Sequence, residues 1–179
     1  MFRRCLQVAV ATAAIAVTVA SAHAQAPATP PAGVPEAMPF DIPYGTPISM
    51  DQAHKAITAA AAEARKHNWK MSISVVDQGG NLIAHATMDG TQYASITISQ
   101  AKARTAATFR RPTKALADAV NGSTPATLSL LGLVGGAASE GGFPIVIDGK
   151  LVGAIGASGG LAAQDGMTAR AGLAGLGIN

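Results

Sequence analysis

Cysteine is almost missing from this chain of 179 residues: the single copy, Cys5, lies at the extreme N-terminus. One thiol makes no intrachain disulfide, no thiolate metal centre and no C-x-x-C-H haem attachment. Aromatic residues make up only 4%, with one Trp and two Tyr. That leaves little material for the stacking surfaces of a nucleic-acid-binding protein. Charge is sparse as well, at 13% of residues, and the net value is only +3. Loss of Arg3 and Arg4 with an N-terminal leader would bring the basic count from 13 to 11, against 10 acids. A nucleic-acid partner is therefore not expected.

Long apolar runs are also absent beyond the first residues. Arg3 and Arg4 precede an apolar stretch, Cys5 to Ala20, and Ala22-His23-Ala24 has the A-x-A form of a cleavage site. The stretch is short for a membrane span and no stop-transfer charges follow, so it reads as a secretory signal peptide over residues 1–24. Cleavage after Ala24 would give a periplasmic or secreted protein without a membrane anchor. Residues 25–47 hold seven of the ten prolines and read as an extended tether. Residues 48–179 form the expected domain.

What the chain does have is small residues, including 20 Gly and many Ala. Close backbone packing must then supply much of the core, at helix–sheet contacts and at any subunit interface. Ser49-Met50-Asp51-Gln52 is a capping box, and Ala53, Ala56, Ile57, Ala60 and Ala64 follow at helical spacing, predicting a helix from about 50 to 67. Met71, Ile73 and Val75 alternate with serines up to the turn signal Asp77-Gln78-Gly79-Gly80-Asn81, and Leu82 to Met88 returns. A helix is expected from Gln92 to Phe109, broken by Pro112, with a shorter one from Thr113 to Val120. Leu128 to Val134 reads as a strand. Phe143 to Ile147 and Leu151 to Ala157 form a second hairpin across Asp148-Gly149, before a closing helix over roughly 162–176.

Several patterns suggest chemistry. Gly156-Ala157-Ser158-Gly159-Gly160 matches the G-x-S-x-G nucleophile elbow, but every histidine precedes Ser158, against the chain order of that motif. Glycines for close packing explain it better. Backbone amides at the same helix start could hold a carboxylate or phosphate. His54, His67 and His85 lie 13 and 18 residues apart, without the pairing of a helical zinc site. A single axial haem ligand needs only one residue, so spacing does not exclude it. His54 and His67 read as surface residues, and His85 sits on a strand that could face either side of its sheet. Lys102, Thr105 and Phe109 share a helical stripe flanked by Arg104, Arg110, Arg111 and Lys114. That stripe reads either as a solvated face with a cation-rich helix end or as a rim for an anionic ligand such as haem propionates.

Five segments together resemble a known family: VVDQGGNLIAHATMDG (75–90), KARTAATF (102–109), Pro112-Thr113, GGFPIVIDGKLVGAIGASGG (141–160) and Gln164-Asp165. They are similar to the haem-binding, haem-degrading-domain proteins, which include an extracellular haem sensor, the GlcG proteins and the C-terminal domain of PduO adenosyltransferases. The resemblance spans about residues 48–176. It implies an α+β, profilin-like domain with a five-stranded antiparallel sheet flanked by helices, commonly assembled into homo-oligomers. It also implies non-covalent haem binding between protomers, with links in some members to haem breakdown or iron handling. In the sensor branch the axial ligand is a Thr, which corresponds to Thr113 here. Many members have Arg where this chain has Thr87. The expectation is a periplasmic haem-binding protein with Thr113 or His85 near the iron and Lys102, Arg110 or Arg111 near the propionates. The alternatives are a non-catalytic module for a small organic acid, using amides near Ser158, and a structural oligomer without ligand.

Overall fold

The structure, a computed structural model, describes residues 32–178 apart from 36, 123 and 124. The expected signal peptide and the first part of the proline-rich stretch lie outside the described residues. The folded unit starts at Met38. Its elements are α1 (Met50–Lys66), β1 (Ser72–Asp77), β2 (Leu82–Thr87), α2 (Ala94–Thr108), α3 (Thr113–Asn121), α4 (Pro125–Val134), β3 (Gly142–Ile147), β4 (Lys150–Ser158) and α5 (Ala162–Gly175). The described strands make one sheet in the order β2-β1-β4-β3, with every neighbouring pair antiparallel. The class is α+β, as expected.

Among the described residues the sheet has four strands rather than the expected five, because residues 128–134 belong to α4. Local chemistry favours the helix. Pro125 opens it, at a position where no N–H is needed. Its leucines are good helix formers, and Gly135 ends it at φ 63° while the Gly136 N–H donates to the Leu131 carbonyl at 2.7 Å.

The other elements follow their sequence signals. The Ser49 hydroxyl accepts from the Gln52 amide at 3.2 Å, and Gln52 Oε1 accepts from the Ser49 amide at 3.0 Å, closing the capping box of α1. In the first hairpin Asp77 Oδ1 accepts from the amides of Gly79 (2.8 Å) and Asn81 (2.9 Å). The second turns through Asp148 and Gly149, both at positive φ (51° and 71°), the two-residue geometry that fits the twist of paired strands.

The sheet separates two apolar layers. Ile73, Val75, Phe143, Ile145, Ile155 and Ala157 face α1 and α5, whose contact surface is nearly all alanine. The smaller layer is Val76 and Ala154 beneath Ala103, Ala106 and Ala107 of α2. A Cβ at Gly156 would strike the Ser99 carbonyl and the Ala103 amide, so this glycine lets α2 lie directly on the sheet. Helix α2 crosses β1, β4 and β3 and leaves most of edge strand β2 uncovered.

Part of the expected tether is docked. The Gly45 amide donates to the Leu151 carbonyl, the Leu151 amide to Pro43, and the Ile48 amide to Val152, each at 2.8 Å. Arg111 stacks on Phe40 with its guanidinium carbon 3.9 Å from the ring centroid, and Arg110 donates to the Ile42 carbonyl at 3.1 Å. Residues 40–48 thus form a strap from the end of α2 to the start of β4.

Candidate functional site

The register of β1 and β2 decides which way His85 faces. Ser74 is its direct partner and Ser72 pairs with Thr87, while a bulge at Val75/Val76 brings Leu82 opposite Val76. Leu82, His85 and Thr87 therefore share the face on which α2 lies, and β2 is the strand that α2 leaves open.

His85 is half-buried and held on both nitrogens. Nδ1 lies 2.9 Å from Ser74 Oγ, and Nε2 lies 2.8 Å from Thr87 Oγ1. Ser74 Oγ continues to Ser99 Oγ on α2 at 2.8 Å, and Ser99 donates to the Ile96 carbonyl at 3.0 Å. Thr87 Oγ1 also lies 2.8 Å from Ser72 Oγ. Burial pushes the imidazole pKa below its ordinary value near 6.5, so the ring is neutral at pH 7. Sequence alone showed the alternating serines but not that they converge on one imidazole.

Along the same face lies a cavity of about 460 Å³, lined by Val76, Leu82, Gln100, Ala101, Arg104 and Val134 among others. Arg104 is exposed, and its stem packs over Gly80 of the first hairpin turn. Among the described residues its guanidinium has no hydrogen bond or ion pair. Beyond the cavity α4 exposes Leu128, Leu130 and Leu133, the last 81% exposed. The cavity sets the apolar Val76, Leu82 and Val134 beside the polar Asn81, Thr97 and Gln100, and the neutral imidazole lies farther along the same sheet face. With Arg104 at the cavity, this face suits an anionic ligand that has an apolar body.

The other expected residues are placed differently. Lys102, expected on a cationic rim, is buried instead: Nζ lies 2.6 Å from Asp165 Oδ2 and 3.3 Å from the Ala157 carbonyl. Burial raises the Asp165 carboxyl above its usual range, and the Lys102 hydrogen bond opposes that shift. Helical stripes do not say which face is inward, and α2 buries this one. Thr113 is fully buried. Its hydroxyl donates to the Ser139 carbonyl at 2.6 Å and accepts from the Gly142 amide at 2.9 Å, clamping the start of α3 to β3. Arg110 and Arg111 hold the strap, and burial lowers the Arg111 pKa.

The remaining motifs are structural. Ser158 is buried, touches Ser95 Oγ at 3.4 Å and meets no imidazole. The amides near it are already used: Gly160 donates to Asp165 Oδ1 at 3.0 Å and Leu161 to Gln164 Oε1 at 2.8 Å. His54 is exposed, and His67 stacks on Trp69 with centroids 4.4 Å apart. Among the described residues no cluster of His, Cys, Asp and Glu could hold a metal ion, and no helix is long and apolar enough to cross a membrane.

Residues 48–174 match the family model of the haem degrading protein HbpS-like proteins. Protein GlcG of Escherichia coli is 43% identical over 111 residues, which is 62% of this chain and 81% of GlcG. Among solved structures, a PduOC–haem complex superposes with a TM-score of 0.69 at 25% identity, covering 75% of this chain and 98% of that one. A double mutant of HbpS from Streptomyces reticuli gives a TM-score of 0.67 at 30% identity, covering 81% of this chain and 97% of that one. With the sheet, the crossover helix and both hairpins inside the matched span, the chain belongs to the HbpS-like family of haem degrading proteins.

Proposed function

We propose that this protein binds haem non-covalently in the periplasm, as part of haem or iron handling, with His85 as the iron ligand. The observation that carries the proposal is the neutral imidazole of His85 on the uncovered face of β2, along from a partly apolar cavity that holds Arg104, whose guanidinium has no partner among the described residues. The residues fit the group. Val76, Leu82 and Val134 offer apolar wall, the imidazole offers a nitrogen donor, and Arg104 offers a cation for a propionate. The haem-bound relative and the family match support the same ligand. Haem, once bound, would supply the redox chemistry through its iron, while the protein sets access and ligation.

Thr113 is a poorer iron ligand, because its hydroxyl would have to leave both Ser139 and Gly142. Lys102 is committed to Asp165. Arg110 and Arg111 could reach a ligand only by releasing the strap. The uncovered β2 and the exposed leucines of α4 support a homo-oligomer of profilin-like domains, with haem seated between protomers.

Titration of residues 25–179 with haemin tests the proposal. The expected result is a Soret shift that His85→Ala abolishes and Thr113→Ala retains. Absence of a shift, or a shift indifferent to His85→Ala, sinks the proposed ligand. A second reading, a module for a small organic acid, is favoured by Arg104, which lines its cavity without a partner among the described residues. It predicts that organic acids raise the melting temperature and that Arg104→Ala removes the effect.

A further inference from the structure

We propose that Ser99 and Ser74 are positioning residues that hold His85 in its Nδ1–H tautomer, leaving the Nε2 lone pair as the outward ligand atom. Proton counting along the hydroxyls sets every direction. Ser99 Oγ lies 3.0 Å from the Ile96 carbonyl oxygen, which can only accept. Two oxygens that close repel without a proton between them, so the single Ser99 proton is committed there. The 2.8 Å contact of Ser74 with Ser99 then requires Ser74 to donate. Ser74 has no second proton, and its 2.9 Å contact with His85 Nδ1 requires the imidazole to donate. In a neutral ring Nε2 is then bare. It accepts from Thr87 Oγ1 at 2.8 Å, and that oxygen in turn accepts from Ser72 at 2.8 Å, the Ser72 hydroxyl standing farther from Nε2 itself, at 3.5 Å. Each proton is used once.

The two sides of the ring differ in what it takes to change them. Ser74 and Ser99 are wholly buried, so the Nδ1 contact is built into the packing of α2 on β1. Thr87 is exposed, and its hydroxyl can rotate away from Nε2. Free histidine in water prefers the opposite tautomer, Nε2–H, so the buried serines reverse the ordinary preference. A ring nitrogen anchored by its N–H while the other is offered outward is the arrangement of metal-ligating histidines. The ligand class this selects is a metal centre that takes one neutral imidazole. That second half rests on the haem reading; the tautomer does not.

The test reads the two halves apart. In the apo protein at neutral pH, nitrogen-15 NMR of the histidine side chains should show His85 protonated at Nδ1. Ser99→Ala and Ser74→Ala should move the population toward Nε2–H, while Thr87→Val, at an exposed position, should not. An Nε2–H ring in the unaltered protein overturns the inference, as does a tautomer indifferent to Ser99→Ala in protein whose circular dichroism is unchanged. Haemin titration then reads the ligand. Ser74→Ala and Ser99→Ala should weaken binding about 10–100-fold, and Thr87→Val should not weaken it. Nδ1–H in the apo protein together with haemin affinity indifferent to His85→Ala overturns the iron-ligand reading and leaves the tautomer relay standing.

Discussion

Lys102 and Asp165 meet in the interior of the domain, Nζ to Oδ2 at 2.6 Å, with side chains only 2% and 4% exposed. The pair ties α2 to the start of α5, and Asp165 also receives the Gly160 amide. Removing one partner leaves the other charge buried and unpaired. Asp165→Asn should cost about 3–5 kcal/mol, whereas Lys102→Met combined with Asp165→Leu should cost far less. Urea unfolding of the two single variants and the double gives the comparison. Near-additive losses would show that the pair is not coupled.

The His85 imidazole should titrate below the ordinary value near 6.5, because burial penalises its charged form. A depressed histidine pKa means that the unfolded chain takes up its proton first as pH falls. The stability contribution is therefore complete above about 6.5 and is lost as pH falls through the folded-state pKa. His85→Gln should flatten the pH dependence of unfolding in that window. A midpoint at or above 6.5 by NMR contradicts the assignment.

Thr113→Ala should lower stability by about 1–3 kcal/mol, since it orphans the buried Gly142 amide and the Ser139 carbonyl. Thr113→Ser keeps the hydroxyl and should recover most of that loss. Thermal unfolding in parallel with haemin titration separates this clamp from a ligand role. Haemin affinity lost in a fully folded Thr113→Ala protein would favour the hydroxyl as ligand.

Gly156→Ala forces a methyl group against the backbone of α2 at Ser99 and Ala103. Neither backbone atom can swing aside, so the helix must lift. The expected cost is about 1–3 kcal/mol or more, with exposure of apolar surface measurable by dye binding. Wild-type stability in this variant would mean that α2 does not lie directly on β4.

The strap should contribute modestly. Phe40→Ala removes the closest ring beneath Arg111, 3.9 Å away, and should cost about 0.5–2 kcal/mol. Proteolysis ahead of Ile48 should quicken in this variant, and an unchanged rate of cleavage would show that the strap is held by its backbone pairing alone.

Local chemistry made the frame legible in the sequence. A Ser49–Gln52 capping box, the Asp77 turn and the Asp148-Gly149 pair act within a few residues, so helix α1 and both hairpins stand where their signals are. The segment 128–134 misled because a short leucine run has no periodicity that separates a strand from a helix. Pro125 and Gly135 at its ends were the stronger signals. The alternating serines of β1 were visible, but a period of two says only that Ser72 and Ser74 share a face, not what that face meets.

Tertiary structure decided what could not be local. Strand register and the bulge at Val75/Val76 set His85 opposite Ser74 on the open face. Packing of α2 turned Lys102 inward to Asp165, although the same helical stripe could have faced water. The start of α3 spent the Thr113 hydroxyl on Ser139 and Gly142. By itself the sequence determined the hairpins, their turns and the small residues that let helices lie close. Burial and pairing join residues as far apart as Lys102 and Asp165, and only the folded chain assigns those side chains their work.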